Sequence, residues 1–284
     1  MMAPSFKEYF HLMDDVSDGG PSGSLPRAVA LLRTLAASGG EGMRLTNAAA
    51  TAGVTPASAH RLLRMLIDEG MVEQDARSKY YRLSIEFFSL AARAGNPSNL
   101  RDICRPVLLR LSAALGDTVF LLVRSGFDAV CLDRCEGPVS IRSFTNDIGG
   151  KVILGVGQGS MAILAHLPES EREEVIRFNL PRLLHFGLFD EVFFRNEIER
   201  VRESGFAARG SGLLPDMAGV AVPILDRERR PLAAISIGTT VERLNAERLP
   251  TVVQVLRREA EALAPKISPF DAALRRPGQQ VGSY

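Results

Sequence analysis

One segment of this sequence carries a row of polar and basic side chains beside a stripe of apolar ones. From Pro56 to Glu69 the apolar residues recur at helical spacing, and they are Ala59, Leu62, Leu63, Leu66 and Ile67. The polar side chains that lie off this stripe are Ser58, His60, Arg61 and Arg64. Hydroxyl, imidazole and guanidinium groups of this kind donate hydrogen bonds to phosphates and purine edges. The row therefore predicts a DNA-reading helix, although a solvated helix face would show the same pattern.

Two further helices are predicted directly before this one. Helical spacing of apolar residues predicts a first helix that is capped by Ser24 and ends before Gly39, and a second, alanine-rich helix over 46–52. Thr55 is a typical cap for the third helix, and Gly70 is a typical terminator. Three short helices at such close spacing are typical of a helix-turn-helix unit.

A basic hairpin is predicted directly after the third helix. Strand-like runs at 71–74 and 80–83 flank a tip that carries Arg77 and Lys79. Residues 24–84 hold eight Lys or Arg against five Asp or Glu, a surplus of three positive charges. A hairpin in this place predicts a winged helix-turn-helix in which the tip contacts DNA phosphates.

The spacing Gly155-x-Gly157-x-Gly159 is the second chemical feature of the sequence. It lies between a predicted strand, 151–154, and a predicted helix, 161–166. Glycines at a helix start suit a dinucleotide site, a purely structural tight turn or a small anion-binding concavity. Ser160 stands where a dinucleotide fingerprint has its third glycine, and the following segment is predicted to be helical, so the first of these interpretations is the weakest.

No pattern of catalytic or metal-binding residues is evident. The four histidines are scattered, and Cys131 and Cys135 have no further ligands at zinc-site spacing. Three cysteines, counting Cys104, fit free buried thiols in a reducing compartment. Strand alternation predicts that Cys131, Asp133 and Cys135 share one face. We expect neither an enzyme nor a bound metal or cofactor.

The remaining segments predict an α+β protein of two domains. Strands are expected at 118–123, 129–133, 139–144, 219–225 and 232–238, with helices at 85–94, 100–115, 169–178, 191–204 and 245–264. The expected division is a disordered arm, a DNA-binding domain, a linker helix with a hinge, an antiparallel-sheet domain and a tail, at 1–23, 24–84, 85–99, 100–268 and 269–284.

Composition and hydropathy restrict the class of protein. Hydrophobic residues are 46% and charged residues 24% of 284, as in ordinary globular proteins. No run approaches 18 apolar residues, and Asp14 and Asp15 stand where a signal peptide would be basic or apolar. We therefore expect a cytoplasmic protein without a membrane partner.

Several motifs together resemble one known family. The runs at 52–63, 70–74 and 80–83 are similar to the N-terminal domain of the IclR family of bacterial transcriptional regulators. Six later runs resemble the family's C-terminal domain in order and spacing, at 105–108, 116–119, 132–134, 167–168, 222–225 and 233–237. The resemblance covers about residues 24–268. It implies a winged helix-turn-helix, a linker helix and a GAF-like effector-binding domain, assembled as dimers or dimers of dimers.

The resemblance also implies an effector site and a function. The positions that match the pocket lining of relatives, or lie beside it, are Gln158, Gly159, Ser160, Met217, Gly219 and Ser236. Arg209 falls near a position that is acidic in some relatives, so it is either a partner for a ligand carboxylate or a surface arginine. We expect a small organic acid there, with its apolar body covered by Ile153, Met217, Val220 and Ile237.

The function implied is ligand-responsive transcriptional regulation, with control of a catabolic operon. A homodimer or dimer of dimers would bind double-stranded DNA at an inverted-repeat operator. One alternative is a small-molecule-binding protein whose winged helix mediates protein contacts. The other is an enzyme that uses a nucleotide at the glycine loop.

Overall fold

The computed structural model describes residues 23–38, 40–93, 100–138, 141, 148–185, 190–209 and 216–267. Four predicted segments lie wholly or almost wholly outside these ranges. They are the arm except for Gly23, the break near 95–98, all but one residue of the strand at 139–144, and the tail. The chain divides into two compact units, one of residues 15–96 and one that contains residues 97–284. In the described part of the chain, no helix is long and apolar enough to cross a membrane.

The first unit is a small helical bundle with a two-stranded hairpin. Its elements are α1 (Ser24–Ala36), α2 (Leu45–Thr51), α3 (Pro56–Asp68), β1 (Val72–Gln74), β2 (Tyr81–Leu83) and α4 (Ile85–Arg93). β1 and β2 pair antiparallel, and an isolated bridge joins Met43 to Tyr81. Leu31, Leu35 and Leu63 are fully buried at the centre of one hydrophobic core. This arrangement of helices and hairpin is a winged helix-turn-helix, as predicted.

The ends of α3 follow from local sequence. The Thr55 side chain accepts a hydrogen bond from the Ser58 backbone N–H at 3.3 Å, and Pro56 occupies the first helical position. Gly70, with φ of +72°, adopts the left-handed conformation just beyond the helix end. α1 differs slightly from the prediction, because Gly23 is its N-cap and Ser24 is already helical.

In its described residues, the second unit combines five helices with a six-stranded sheet. In chain order its elements are α5 (Leu100–Leu115), β3 (Thr118–Ser125), β4 (Asp128–Cys135), β5 (Lys151–Ile153), α6 (Gln158–Ala165), α7 (Glu169–His185), α8 (Glu191–Ser204), β6 (Ala207–Arg209), β7 (Met217–Leu225), β8 (Pro231–Thr240) and α9 (Arg248–Leu263), followed by a 3₁₀ turn (Ala264–Lys266). The strand order is β5-β4-β3-β8-β7-β6, and every pair is antiparallel. The predicted α+β class with an antiparallel sheet is confirmed.

Both faces of this sheet are buried, each in its own core. Helices α5 and α9 pack on one face, which we call the helix face, whose core includes Leu121, Val220 and Ile237. Helix α6 packs on the opposite face, which we call the α6 face, and α8 packs against α6. The core of the α6 face includes Leu122 and Ala234. Neighbouring residues of a strand therefore belong to different cores.

A β-bulge interrupts the pairing of β3 with β4. Leu121 lies opposite Asp133, whereas Leu122 lies opposite Cys131, so Leu132 is an extra residue in β4. The alternation of faces along β4 is therefore reversed beyond this point.

The bulge makes one prediction wrong. Cys131 lies in the core of the α6 face, but Cys135 lies in the core of the helix face, so the two thiols do not share a face. Cys131, Cys135 and Cys104 are buried thiols that form no disulfide, as expected. Burial raises the pKa of the Cys104 thiol to about 12, and the nearby Asp133 carboxylate adds to the effect.

Other element bounds also differ from the predictions. α6 begins at Gln158 and not at Met161, so Gly159 and Ser160 are helical. α7 continues to His185, well past the predicted end at 178. The short strand β6 was not predicted. Helix α6 is buried along almost its whole length, and this packing outweighs the weak helix propensity of Gly159 and Ser160.

Candidate DNA-reading surface and effector-binding face

The polar row of α3 faces away from the core of its unit. His60, Arg61 and Arg64 are exposed, while Ala59 and Leu63 are fully buried on the opposite side. Among the described residues, the Arg61 guanidinium makes two long contacts, at 3.5 Å to the Ser24 hydroxyl and 3.6 Å to the Met65 sulfur. The three basic side chains are thus accessible to a partner.

Ser58 differs from the other members of the row. It is half-buried, and its Oγ accepts a hydrogen bond from the Thr55 hydroxyl at 3.0 Å. Its backbone N–H donates to the same Thr55 oxygen. Ser58 therefore takes part in the N-cap of α3, and its hydroxyl proton is left to donate to a partner.

The hairpin tip is a tight turn that is organised by one carboxylate. Asp75 Oδ1 accepts hydrogen bonds from the backbone N–H of Arg77 at 3.0 Å and of Ser78 at 2.6 Å, and from the Ser78 hydroxyl at 2.8 Å. These bonds to Ser78 and Arg77 lower the pKa of Asp75 below its usual range. The turn leaves the side chains of Arg77 and Lys79 exposed at its end. Their charge and position suit contact with phosphates.

A further cation at the hairpin was not among the predicted contacts. The Arg44 guanidinium lies 5.8 Å from the centre of the Tyr80 ring, directly after the tip. No sequence pattern could have identified Arg44, because the fold alone brings the start of α2 close to Tyr80.

The predicted glycine loop forms the N-terminus of α6. Gly157, with φ of +75°, is the N-cap, and the first turn contains Gln158, Gly159 and Ser160. The Ser160 hydroxyl donates to the backbone oxygen of Val156 and accepts from the N–H of Gly155. Ser160 is fully buried, and its hydroxyl is engaged in holding this turn.

Two glycines in the predicted site allow close packing around α6. A methyl group on Gly159 would lie 2.7 Å from Leu122 Cδ1, and one on Gly219 would lie 2.8 Å from Gln158 Oε1. The side-chain amide of Gln158 therefore packs directly on the backbone of β7 at Gly219. The structure brings these four residues together.

Ser236 and Met217 lie on the same face as Gly219. Gly219 and Ala221 both belong to the α6 face, and Ser236 is opposite Ala221 in the register of β7 and β8. Met217 is two residues from Gly219 along β7 and half-buried. Six of the predicted effector residues are thus found on α6 and on the strands beneath it.

The structure does not place the side chains of three other residues of the predicted site, Val220, Ile237 and Arg209, on the α6 face. Val220 and Ile237 were expected to cover the ligand, and this is wrong, because both lie in the core of the helix face. The backbone of Arg209 pairs with Gly219 at the sheet edge, but its side chain lies outside the described part of the structure.

Two apolar residues on the α6 face were missed by the sequence analysis. A methyl group on Gly238 would lie within 3.2 Å of the Phe120 ring and still closer to Ile141. Phe120 is also opposite Ser236 in the sheet. Phe120 and Ile141 therefore supply apolar surface beside Ser236. Only the register of β3 against β8, which the sequence does not specify, places Phe120 opposite Ser236.

The comparisons with known proteins follow this division into two units. The model of the IclR helix-turn-helix domain matches residues 24–76, and the model of the bacterial transcriptional regulator IclR C-terminal domain matches residues 93–265. The chain belongs to the IclR family of bacterial transcriptional regulators. This IclR-family regulator is thus a DNA-binding protein with an effector-binding domain.

Relatives with known names are similar over most of their length. The regulator is 27% identical to the transcriptional regulator KipR of Bacillus subtilis, over 79% of this chain and 90% of that protein. It is 28% identical to the transcriptional repressor IclR of Escherichia coli, over 80% and 83%. It is 29% identical to the glycerol operon regulatory protein of Streptomyces coelicolor, over 85% and 94%.

Solved structures of the family share the fold of this regulator. The Thermotoga maritima IclR matches with a TM-score of 0.65 at 24% identity, over 86% of this chain and 98% of that one. An IclR homologue from Microbacterium hydrocarbonoxydans, solved with 4-hydroxybenzoate, matches with a TM-score of 0.68 at 22% identity and the same coverage.

Proposed function

We propose that α3 of this regulator enters the major groove of operator DNA, with Ser58, His60, Arg61 and Arg64 as its contacts. The observation that carries the proposal is the exposed row of α3, which has its apolar side buried and its basic side accessible. Arg77 and Lys79 at the hairpin tip would contact phosphates beside the groove. Residues 24–84 would form the DNA-binding domain, 85–99 the linker and 100–268 the effector-binding domain.

The proposed DNA-bound form is a two-fold dimer, or a pair of dimers, on an inverted repeat. A single winged helix covers only a few base pairs, whereas a symmetric dimer doubles the contacts and sets the spacing of the half-sites. The protein would act in the cytoplasm, where bacterial DNA is accessible. It would regulate a catabolic operon and catalyse no reaction itself.

The proposed effector is a small organic acid bound at the α6 face. Support comes from Gln158, Gly219 and Ser236, which lie together there beside the apolar residues Phe120 and Ile141. A related structure holds 4-hydroxybenzoate, an aromatic acid. A ligand alters DNA affinity only if it binds one arrangement of the protein better than another, and such coupling is usually about 1–3 kcal/mol.

The nucleotide-using alternative is disfavoured by the sheet. A dinucleotide fingerprint requires a parallel strand after the glycine-started helix, but β5 pairs antiparallel with β4. In the described part of the chain the next elements after α6 are two helices, α7 and α8.

The direct test of DNA binding uses the full chain and the DNA upstream of its own gene. Fluorescence anisotropy should show binding that a shuffled sequence of equal length does not compete away. Light scattering at the same concentration should give a dimer or tetramer. Equal affinity for both DNAs would contradict operator recognition, and it would favour a winged helix that mediates protein contacts.

A further inference from the structure

Four residues form a row across the α6 face of the sheet. Arg134 of β4 lies opposite Phe120 of β3, Phe120 lies opposite Ser236 of β8, and Ser236 lies opposite Ala221 of β7. Phe120 and Ala221 belong to the core of this face. Arg134 is therefore two strands away from Ser236 on the same surface.

The bulge in β4 is what puts Arg134 on this surface. Without the bulge, regular alternation from Cys131 through Leu132 would place Asp133 on the α6 face and Arg134 on the helix face. In the structure, Asp133 turns to the helix face, where it accepts a hydrogen bond from Arg105 of α5 at 2.8 Å. Bulges often redirect a side chain toward a functional site.

The guanidinium of Arg134 extends over the neighbouring strand. Its central carbon lies 5.5 Å from the centre of the Phe120 ring, the ring that separates Arg134 from Ser236. One terminal nitrogen lies 3.0 Å from Glu136 Oε1. The Arg134 side chain is only 15% exposed, whereas that of Glu136 is 74% exposed. The ion pair thus joins a sheltered cation to a carboxylate that water already solvates.

We propose that Arg134 is the cation that recognises the carboxylate of the effector, with Ser236 and Phe120 beside it. This inference rests on the proposed organic-acid effector. A planar guanidinium binds a carboxylate through two parallel hydrogen bonds, and the ligand carboxylate would replace Glu136 in this role. Glu136 loses little when it is released, because its side chain is already 74% exposed to water.

Arg124 is another described arginine of this face, and its partner distinguishes it from Arg134. Arg124 donates to Glu171 Oε2 at 2.6 Å and to the Gly126 backbone oxygen at 2.8 Å. Glu171 is itself buried, so its carboxylate cannot move into water to make room for a ligand. A ligand carboxylate therefore cannot replace Glu171 at Arg124 in the way proposed for Glu136 at Arg134.

The test measures how well the full-length protein distinguishes acids from their amides. Calorimetry would use acetate, propionate, benzoate and 4-hydroxybenzoate, each with its amide. For the acids that bind, Arg134→Gln should reduce the ratio of acid affinity to amide affinity by about tenfold to a hundredfold, the range for removing a hydrogen bond to a charged group. Arg134→Lys should give an intermediate ratio, because the charge stays and the paired geometry does not.

Two further variants separate recognition from a merely structural effect. Glu136→Gln removes the competing carboxylate and should increase acid affinity by up to about fivefold, without a change in amide affinity. Arg110→Gln removes a guanidinium of α5 that is paired with Glu259, and it should leave the ratio unchanged. If Arg134→Gln fails to fold, the proposal is tested by the expected changes in Arg134→Lys and Glu136→Gln.

The outcomes distinguish this inference from the function on which it rests. If wild-type protein binds an acid but Arg134→Gln and Glu136→Gln keep its acid-to-amide ratio, the assignment of Arg134 is wrong and the organic-acid effector stands. If wild-type protein binds none of the acids, both are wrong.

Discussion

The two units of this regulator place their candidate functional residues in opposite ways. In the DNA-binding unit, Arg61 and Arg64 stand on the exposed side of a helix whose other side forms a single core. In the effector unit, Ser236 and Gly219 lie within a buried sheet face, next to the core itself. The first unit can lose a functional side chain without loss of packing. In the second unit, recognition and packing use the same residues.

This difference predicts which substitutions separate function from stability. Changes to His60, Arg61 or Arg64, the fully outward members of the α3 row, should act on DNA affinity alone. Changes around α6 should alter both ligand binding and folding, because a methyl group on Gly159 already meets Leu122. The following predictions test the contrast, beginning with the largest effect.

Removal of a core side chain should unfold the DNA-binding unit selectively. Leu63 is fully buried, so Leu63→Ala should cost about 2–5 kcal/mol of stability and abolish operator binding. Met65→Ala is the control, because Met65 is half exposed on the same helix and its truncation should leave stability nearly unchanged. Chemical denaturation and anisotropy measure the two effects. Normal stability of Leu63→Ala would contradict the assigned core.

Removal of a basic side chain from the outward row should affect DNA binding only. Arg61→Ala should weaken operator binding by about 1–3 kcal/mol, because alanine cannot hydrogen-bond to a base edge or a phosphate. Its melting temperature should match that of wild type. Arg202→Ala, which removes an exposed arginine of the effector unit, should change neither quantity. Unchanged operator affinity in folded Arg61→Ala would remove Arg61 from the DNA interface.

The hairpin tip should contribute charge without sequence specificity. In the double variant Arg77→Gln, Lys79→Gln, the slope of log affinity against log salt should decrease by about 0.9 for each phosphate that the tip no longer neutralises. The ratio of operator to shuffled-DNA affinity should remain that of wild type. A slope equal to that of wild type would show that the tip faces solvent in the complex.

The smallest expected effect is a pH dependence that is confined to the effector unit. Burial lowers the pKa of the His166 imidazole below its ordinary value of 6.5, and its Nδ1 lies 2.9 Å from the Ala162 backbone oxygen. A lowered folded-state pKa means that stability is complete above pH ~6.5 and decreases as pH falls below it. The melting temperature should therefore fall between pH 7.5 and 5.5, and less steeply in His166→Gln. Identical profiles would contradict this role.

Helical periodicity allowed the buried and exposed sides of the DNA-binding unit's helix α3 to be predicted from sequence. The stripe that contains Leu62 and Leu63 defines the buried side of α3, and the residues off the stripe must then face outward. Thr55, Pro56 and Gly70 define its ends through local chemistry alone. The fold class and the family were also predictable, and both are confirmed.

The details of the effector unit were less predictable, because they depend on strand register. Alternation in β4 gave the wrong face for Cys135, since nothing in the local sequence marks Leu132 as a bulge. Val220 and Ile237 were assigned to the ligand side, although each is directly next to a residue of that side. Helix α6 begins at Gln158, before the predicted start at Met161, because it is buried between the sheet and α8. No local sequence pattern indicates this packing.

The outermost strands of the sheet bear on how this protein avoids aggregation. In the described part of the chain, β5 and β6 are three residues long, whereas β7 has nine residues and β8 has ten. A long, flat edge strand exposes a row of unpaired backbone N–H and C=O groups, to which strands of other chains can add. A very short edge strand exposes few such groups. Edge-to-edge addition of further copies, the first step toward fibrils, is therefore disfavoured at these two strands.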